Sequence, residues 1–443
     1  MTMVFVPGTA LPLHDFAAPR RIIRRGHRSF LRRMAGVLVP GLLVAVGYMD
    51  PGNWATDIAA GSAFGFDLLF VLVAASLAAI VLQSLALRLG IASGLDLAQA
   101  CRHRYGTTAN VALWLLAELA IVATDVAEVL GGALAIQLLL GLPLWAGIVL
   151  TAGDTLIVLG LEGRGFRRME AIVAALVGTI ALCFLIELLI VPPDGPALVA
   201  GLAPDLKRLA QPGALALAVG IVGATVMPHN LYLHSSIVQC AAPAPGETGK
   251  RRAIRDANMG SAIALLLAMV INGAILTLGA GAFHMTGHTQ VAGIDDAYRL
   301  LSPITGTTAA ALFFGIALLA SGQSSTFTGT LAGQIVLEGF LQLKIPLWQR
   351  RMITRLIAIV PAMAGAILLG DHAVGGMLVA SQMVLSLQLP FAIWPLVRAS
   401  RDPAIMGGLA TSRLHAACAW LILAVISLAN LWLVYDVVTY GML

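Results

Sequence analysis

Four residues at two places in the chain could together hold a metal ion. Asp50 and Asn53 stand in Y-M-D-P-G-N-W (48–54), and Ala224 and Met227 stand in A-T-V-M-P-H-N (224–230). Asp50 offers a hard carboxylate and Asn53 a hard carbonyl oxygen. Pro228 has no backbone N–H, so the carbonyl of Ala224, one turn earlier, loses its helical donor and becomes a third oxygen. Met227 adds a thioether, a soft and weak donor. Oxygen-only cages suit Mg²⁺ and Ca²⁺, whereas sulfur favours transition metals. The mixed set suits a divalent first-row ion such as Mn²⁺ or Fe²⁺. The bland alternative for Met227 is the filling of a gap in an apolar core. Its place beside Pro228, opposite Asp50, favours the ligand.

Both stretches interrupt long apolar runs, and those runs define the elements that must position them. The chain has 443 residues, 59% hydrophobic and 11% charged, with a mean hydropathy of +0.91. Soluble domains carry about 25% charged residues. Apolar stretches long enough to cross a bilayer recur throughout, so the expected class is an all-α polytopic membrane protein. Eleven spans fall near 36–63, 68–92, 108–140, 143–161, 169–192, 212–239, 254–283, 308–340, 346–369, 374–397 and 414–437. The four cysteines (101, 183, 240 and 418) are scattered without a C-x-x-C spacing, which suggests neither a disulfide framework nor a zinc site. The net charge of +5 resides in short loops between apolar segments. It reflects membrane topology and gives no sign of a nucleic-acid partner.

Residues 1–35 are expected to form a basic cytoplasmic tail, and 36–443 a single transmembrane domain. The tail has no small-residue cleavage site, and the apolar segment after it is too long for a signal peptide. With the N-terminus inside, the tail and the loops near 102–104, 164–168, 250–255, 344–351 and 398–413 carry 22 of the 27 Lys and Arg. The opposite loops carry only Lys207, Arg208 and Arg299, and Arg88 and Arg355 fall within spans. This asymmetry predicts eleven spans with the N-terminus cytoplasmic and the C-terminus extracytoplasmic, in the cell inner membrane.

Span 1 has D-P-G-N at its midpoint and span 6 has M-P-H at its midpoint. Each proline removes a backbone donor and clashes with the preceding turn, so both helices should open there. Unwound backbone at membrane depth is tolerated only in protein or beside a cavity. Spans 1 and 6 stand five apart, as a five-plus-five inverted repeat (spans 1–5 near 36–192, spans 6–10 near 212–397) would place them. Interrupted helices at matching positions of two halves point to a transporter site. Two proline kinks in packed helices are the competing explanation, weakened by the ligand-type side chains at both breaks.

Span 3 carries Glu118, Asp125 and Glu128. At about 100° per residue, Glu118 and Asp125 return to within about 20° of each other and Glu128 lies about 60° further. They form one acidic stripe in apolar surroundings, which usually faces a cavity, an ion route or a proton relay. Salt bridges to Arg350, Arg351 and Arg355 of span 9 are the structural alternative, and the two roles are compatible. His229 follows Pro228 and suits a proton carrier. His234 fits a hydrogen-bonded structural residue. Asn272 and Gln382 are isolated amides for which contact between helices is the default. Asp154 and Glu187 also fall in spans and receive no role.

Taken together, D-P-G-N and A-T-V-M-P-H resemble the paired signatures of the Nramp family of proton-coupled divalent metal transporters. The resemblance extends through A-E-L-A-I-V-A-T-D-V-A-E-V-L-G (117–131), G-Q-S-S-T-F-T-G-T-L-A-G-Q (322–334) and I-P-L-W-Q-R-R (345–351). It covers about 34–437 and is nearest to the bacterial manganese transporters. It implies a LeuT-type fold of eleven helices, ten of them in an inverted repeat. It implies metal ligands at Asp50, Asn53, Met227 and the Ala224 carbonyl, with Gln382 joining during conformational change. It assigns the span 3 stripe and the span 9 arginines to the proton route, with Asp50 shared by metal and proton. Magnesium-transporting relatives lack the methionine, so Met227 points to the transition-metal branch.

The expected function is inward transport of Mn²⁺, and of Fe²⁺ as well, with protons. The partners are the ions and the bilayer; no cofactor and no obligate protein partner is evident. No G-x-x-x-x-G-K-[ST] motif is present, so ATP hydrolysis is not the expected driving force. An amino-acid or amine symporter of the same fold is the alternative, but Asp50 would repel a substrate carboxylate. An intramembrane metalloenzyme would need a constellation such as H-E-x-x-H, which the chain lacks. A passive metal channel is distinguished by uptake that ignores pH.

Overall fold

A computed structural model describes residues 41–153, 166–240, 246–289, 291, 293–343, 345–370 and 373–440. The expected basic tail and Asp154 lie outside the described residues. Within them the chain is helical throughout, with no strand. Nine helices are long and apolar enough to cross a membrane among the described residues. They are span 2 (Leu69–Ser93), span 3 (Thr107–Leu140), span 5 (Phe166–Ile190), span 6, span 7 (Glu247–Leu278), span 8 (Thr308–Leu341), span 9 (Leu347–Leu369), span 10 (Val374–Ser400) and span 11 (Arg413–Tyr440). Span 1 is not among them; of it, only 41–64 is described. Of span 4, Leu144–Thr151 is described, and its expected continuation to 161 lies outside the described residues.

Both predicted breaks are present. Span 1 runs as a helix over 41–46, tightens into a 3-10 turn at Gly47–Met49, and restarts as helix 1b, Pro51–Phe64. Span 6 divides into helix 6a, Ala214–Val226, and helix 6b, Pro228–Ile237. In each case proline takes the first position of the second half-helix, where its missing N–H costs nothing. Spans 3 and 8 hold corresponding places in the two halves, run 34 residues each and pack on one another. At 1.5 Å per residue each is about 51 Å long, well beyond the hydrocarbon thickness.

Helix 1b lies inside the bundle. Trp54 is held between Phe184 of span 5 and Phe314 of span 8, with ring centroids at 4.7 and 5.4 Å. Spans 9 and 11 are peripheral, with 28% of their apolar windows buried against 72% for spans 3 and 8. Span 9 turns Ile353, Leu356, Ile357 and Val360 outward and Arg350, Arg351 and Arg355 inward. Span 11 is tied to span 10 by Asn430, which donates to the Ser386 carbonyl at 2.7 Å and accepts from its hydroxyl at 2.8 Å.

The connections hold more structure than their polar composition suggested. The 284–307 segment contains the helix Ile294–Thr305, whose apolar face packs on span 8. Between spans 2 and 3 lies the short helix Leu97–Arg104, opened by a capping box in which Asp96 and Gln99 satisfy each other's backbone N–H.

Candidate metal centre

The break in span 1 is built by Asp50. Its backbone is extended (φ −70°, ψ 164°), and Oδ1 accepts the Asn53 N–H at 3.0 Å, capping helix 1b. Oδ2 has no partner, although the residue is fully buried. The carbonyls freed just before it do have partners. Asn272 donates to the Tyr48 carbonyl at 2.8 Å. The Met49 carbonyl accepts from Trp54 Nε1 at 3.3 Å and from the Ser321 hydroxyl.

The break in span 6 is built differently. Met227 sits at φ 31°, ψ 105°, one of two non-glycine residues with positive φ among those described. Such a conformation costs of the order of 1–3 kcal/mol and persists where the surroundings over-determine it. Met227 N donates to the Gly223 carbonyl at 3.3 Å, Asn230 N to the Met227 carbonyl at 3.2 Å, and the Asn230 amide to Met227 Sδ at 3.6 Å. Pro228 leaves the Ala224 carbonyl without its usual helical donor. Ala224 and Met227 are both buried.

Close helix approaches bring the two breaks together. Gln382 of span 10 lies directly over Gly52, and its carbonyl lies against Gly223 of helix 6a. Its Oε1 is buried without a partner, while Nε2 donates to Ser381 Oγ at 3.0 Å. Asn230, which holds the Met227 sulfur, also packs on Gly47 of the span 1 break. Asp50, Asn53, Met227, Ala224 and Gln382 are each 0–1% exposed. Among the described residues no three His, Cys, Asp or Glu converge. The centre therefore offers one carboxylate with amide, carbonyl and thioether donors, a donor set that suits a first-row divalent ion better than zinc.

The acidic stripe of span 3 faces span 9, and the ion pairs weighed as its structural role are present. Arg350 contacts both oxygens of Glu118 at 2.8 Å, and Trp114 donates to Glu118 Oε1 at 2.9 Å. Arg351 meets Asp125 at 2.8 Å and Glu128 at 3.4 Å, and Arg355 approaches Glu128 at 3.7 Å. Thr326 of span 8 donates to Glu128 at 3.1 Å. His229 lies beside the stripe, with Nδ1 3.4 Å from the hydroxyl of Thr124, the residue before Asp125. It thus stands between Met227 and the acids. His234 bonds Gln83 at 2.8 Å, and Gln83 donates to Tyr48 at 2.6 Å, the structural role expected of it.

The family model described as natural resistance-associated macrophage protein-like, Nramp, matches residues 41–436. This chain belongs to the Nramp family. It is 58% identical over 407 residues to the divalent metal cation transporter MntH of Ralstonia nicotianae, covering 92% of this chain and 91% of that one. With MntH 1 of Pseudomonas aeruginosa it shares 57% over 431 residues, covering 97% and 98%. The crystal structure of the Eremococcus coleocola manganese transporter superposes with a TM-score of 0.84 at 38% identity, covering 92% of this chain and 88% of that chain. Mhp1, a nucleobase–cation symporter, gives 0.61 at 17% identity, covering 88% and 89%, and shows the fold alone. The Nramp chain has the LeuT-type fold.

Sequence reasoning missed residues that shape the two breaks. Ser321 reaches the span 1 break from span 8, and no local spacing marks it. Asn230 stands three residues after Met227 in the quoted stretch and went unassigned. Asp57, four residues after Asn53 on helix 1b, was also unassigned, and it is 2% exposed. Glu187 is also buried with both oxygens unpartnered, and nothing in its surroundings explains it.

The contact of helix 6a with span 10 makes a separate prediction. A Cβ at Gly223 would fall on the Gln382 carbonyl and 2.7 Å from Ser386 N, both backbone atoms that cannot turn aside. Gly223→Ala should lower stability by about 1–3 kcal/mol, the usual cost of overpacking. Gly273→Ala, at a helical position with open space, should be neutral or slightly stabilising. Thermal unfolding of the two variants in detergent checks the contrast, and equal midpoints would refute it.

Proposed function

We propose that this Nramp protein imports divalent transition metal ions, Mn²⁺ foremost and Fe²⁺ as well, driven by protons. One observation carries the reading: a thioether held at a strained helix break opposite a buried carboxylate oxygen that has no protein partner. In this account Oδ1 of Asp50 stays on the Asn53 N–H and keeps helix 1b capped, while Oδ2 meets the ion. Asn53, the Ala224 carbonyl and Met227 complete the contacts, and Gln382 joins as the bundle moves. The names of the relatives support metal transport. The inner membrane, with the N-terminus cytoplasmic, follows from the charge asymmetry of the loops.

Protons move between Asp50 and the span 3 stripe by way of His229. The arginines hold the carboxylates Glu118, Asp125 and Glu128 in place and balance their charge. Alternating access rocks one helical bundle about the fixed centre. The amino-acid symporter is disfavoured on a specific ground. The half-helix N-terminus that would receive a substrate carboxylate is already capped by Asp50 itself.

The test is Mn²⁺ uptake into proteoliposomes, with and without an inward proton gradient, against excess Mg²⁺ or Ca²⁺. Wild type should show gradient-stimulated uptake that resists competition. Met227→Ala should lose about tenfold of that resistance, equivalent to about 1.4 kcal/mol. Wild type that moves no Mn²⁺ would remove the metal reading and advance the symporter. Uptake indifferent to both pH and Met227 would leave a metal path without the coupling.

A further inference from the structure

Helix 1b carries a second buried acid that the centre does not use. Asp57 follows Asn53 by four residues of helix 1b, about 40° around and about 6 Å along its axis. Asn53 and Asp57 thus form one stripe on the helix that Asp50 caps. Each of the three has a buried polar atom without a partner: Asp50 Oδ2, Asn53 Nδ2 and Asp57 Oδ2.

The contrast with span 3 is informative. There Glu118, Asp125 and Glu128 each face an arginine. Asp57 faces none. Helix 6a has no charged residue, and the charges of span 7 lie at its start, within 247–256. Span 10 has Arg398 at its far end, span 8 has Glu338, and span 5 has Arg167, Arg168 and Glu170 at its start and Glu187 near its end. The helix Ile294–Thr305 brings Asp295 and Asp296, with Arg299 exposed. His284 is already bonded to the Ser62 carbonyl at 2.9 Å. A carboxyl in such surroundings is ionised only with a cation beside it and otherwise holds a proton.

We propose that Asp57 is a further ion-binding residue, forming an outer cation site on the stripe that leads to Asp50. A divalent ion, still carrying water, rests there before it passes to Asp50, Asn53 and Met227. This rests on the transport reading above, and it adds a site to it.

The experiment is titration calorimetry of the full chain in detergent with MnCl₂, alongside uptake kinetics. Wild type should bind two Mn²⁺ per chain and Asp57→Asn one. Asp50→Asn should retain a single weaker site, which disappears when both are changed. In uptake, Asp57→Asn should raise KM about tenfold with a smaller fall in maximal rate, and Asp57→Glu should recover much of the loss. If Asp57→Asn does not fold, Asp57→Ser serves, its hydroxyl able to bond the carbonyl one turn back. One Mn²⁺ per chain in both wild type and Asp57→Asn would overturn the outer site and leave the transport reading intact. A wild type that binds no Mn²⁺ at all would overturn both.

Discussion

Asp50→Asn is expected to abolish measurable Mn²⁺ uptake and to leave the chain folded. Asparagine matches aspartate in shape and is an equally good N-cap, so its oxygen can still accept the Asn53 N–H that Oδ1 now takes at 3.0 Å. What disappears is the negative charge, and with it the counterpart of the cation. Removing one partner of a buried charge interaction costs about 2–5 kcal/mol, which corresponds to roughly 30-fold to several thousand-fold in affinity. Calorimetry should show the loss at the Asp50 site, and the thermal midpoint should stay near that of wild type. Transport by Asp50→Asn at the wild-type rate would mean that the ion does not rely on this carboxylate.

The second large effect concerns Arg351, which is 1% exposed and meets two acids of span 3. Arg351→Leu strands Asp125, leaves Glu128 with Arg355 and Thr326, and should destabilise the protein by about 3–5 kcal/mol, because an uncompensated buried charge is left behind. The double change Arg351→Leu with Asp125→Leu removes the closest pair together. Apolar replacement of a whole buried pair is often neutral or better, so most of the stability should return. Gradient-stimulated uptake should not, because the acid beside His229 is gone. Full proton stimulation in a stable double variant would reduce the stripe to scaffolding. Thermal unfolding in detergent and uptake at two pH gradients separate the outcomes.

These two residues also mark what could be read in the chain. The break at Asp50 follows from D-P-G-N, because proline and an N-cap acid act on their own neighbours within one turn. The acidic face of span 3 follows from helical spacing alone. That Arg351 bridges Asp125 and Glu128, whereas Glu118 takes Arg350, does not follow, since either arginine could satisfy either acid by type. The same holds for the carbonyls of the span 1 break. Proline predicts that they are freed, but Asn272 and Ser321 arrive from 224 and 272 residues away to occupy them. Polar outer loops likewise hid the helix Ile294–Thr305, whose pattern is too short to separate from a loop when only apolar runs are counted.

By itself, the sequence determined that the chain lives in a membrane, that spans 1 and 6 open at proline, and which residue types could meet an ion there. Those properties are set by local covalent geometry and by period, and both are written along the chain. Only the tertiary structure decided which freed groups stay free, which acids gain a countercharge, and that Asp57 has none among the described residues. These depend on pairings between helices far apart in sequence, where residue type allows several partners and packing selects one.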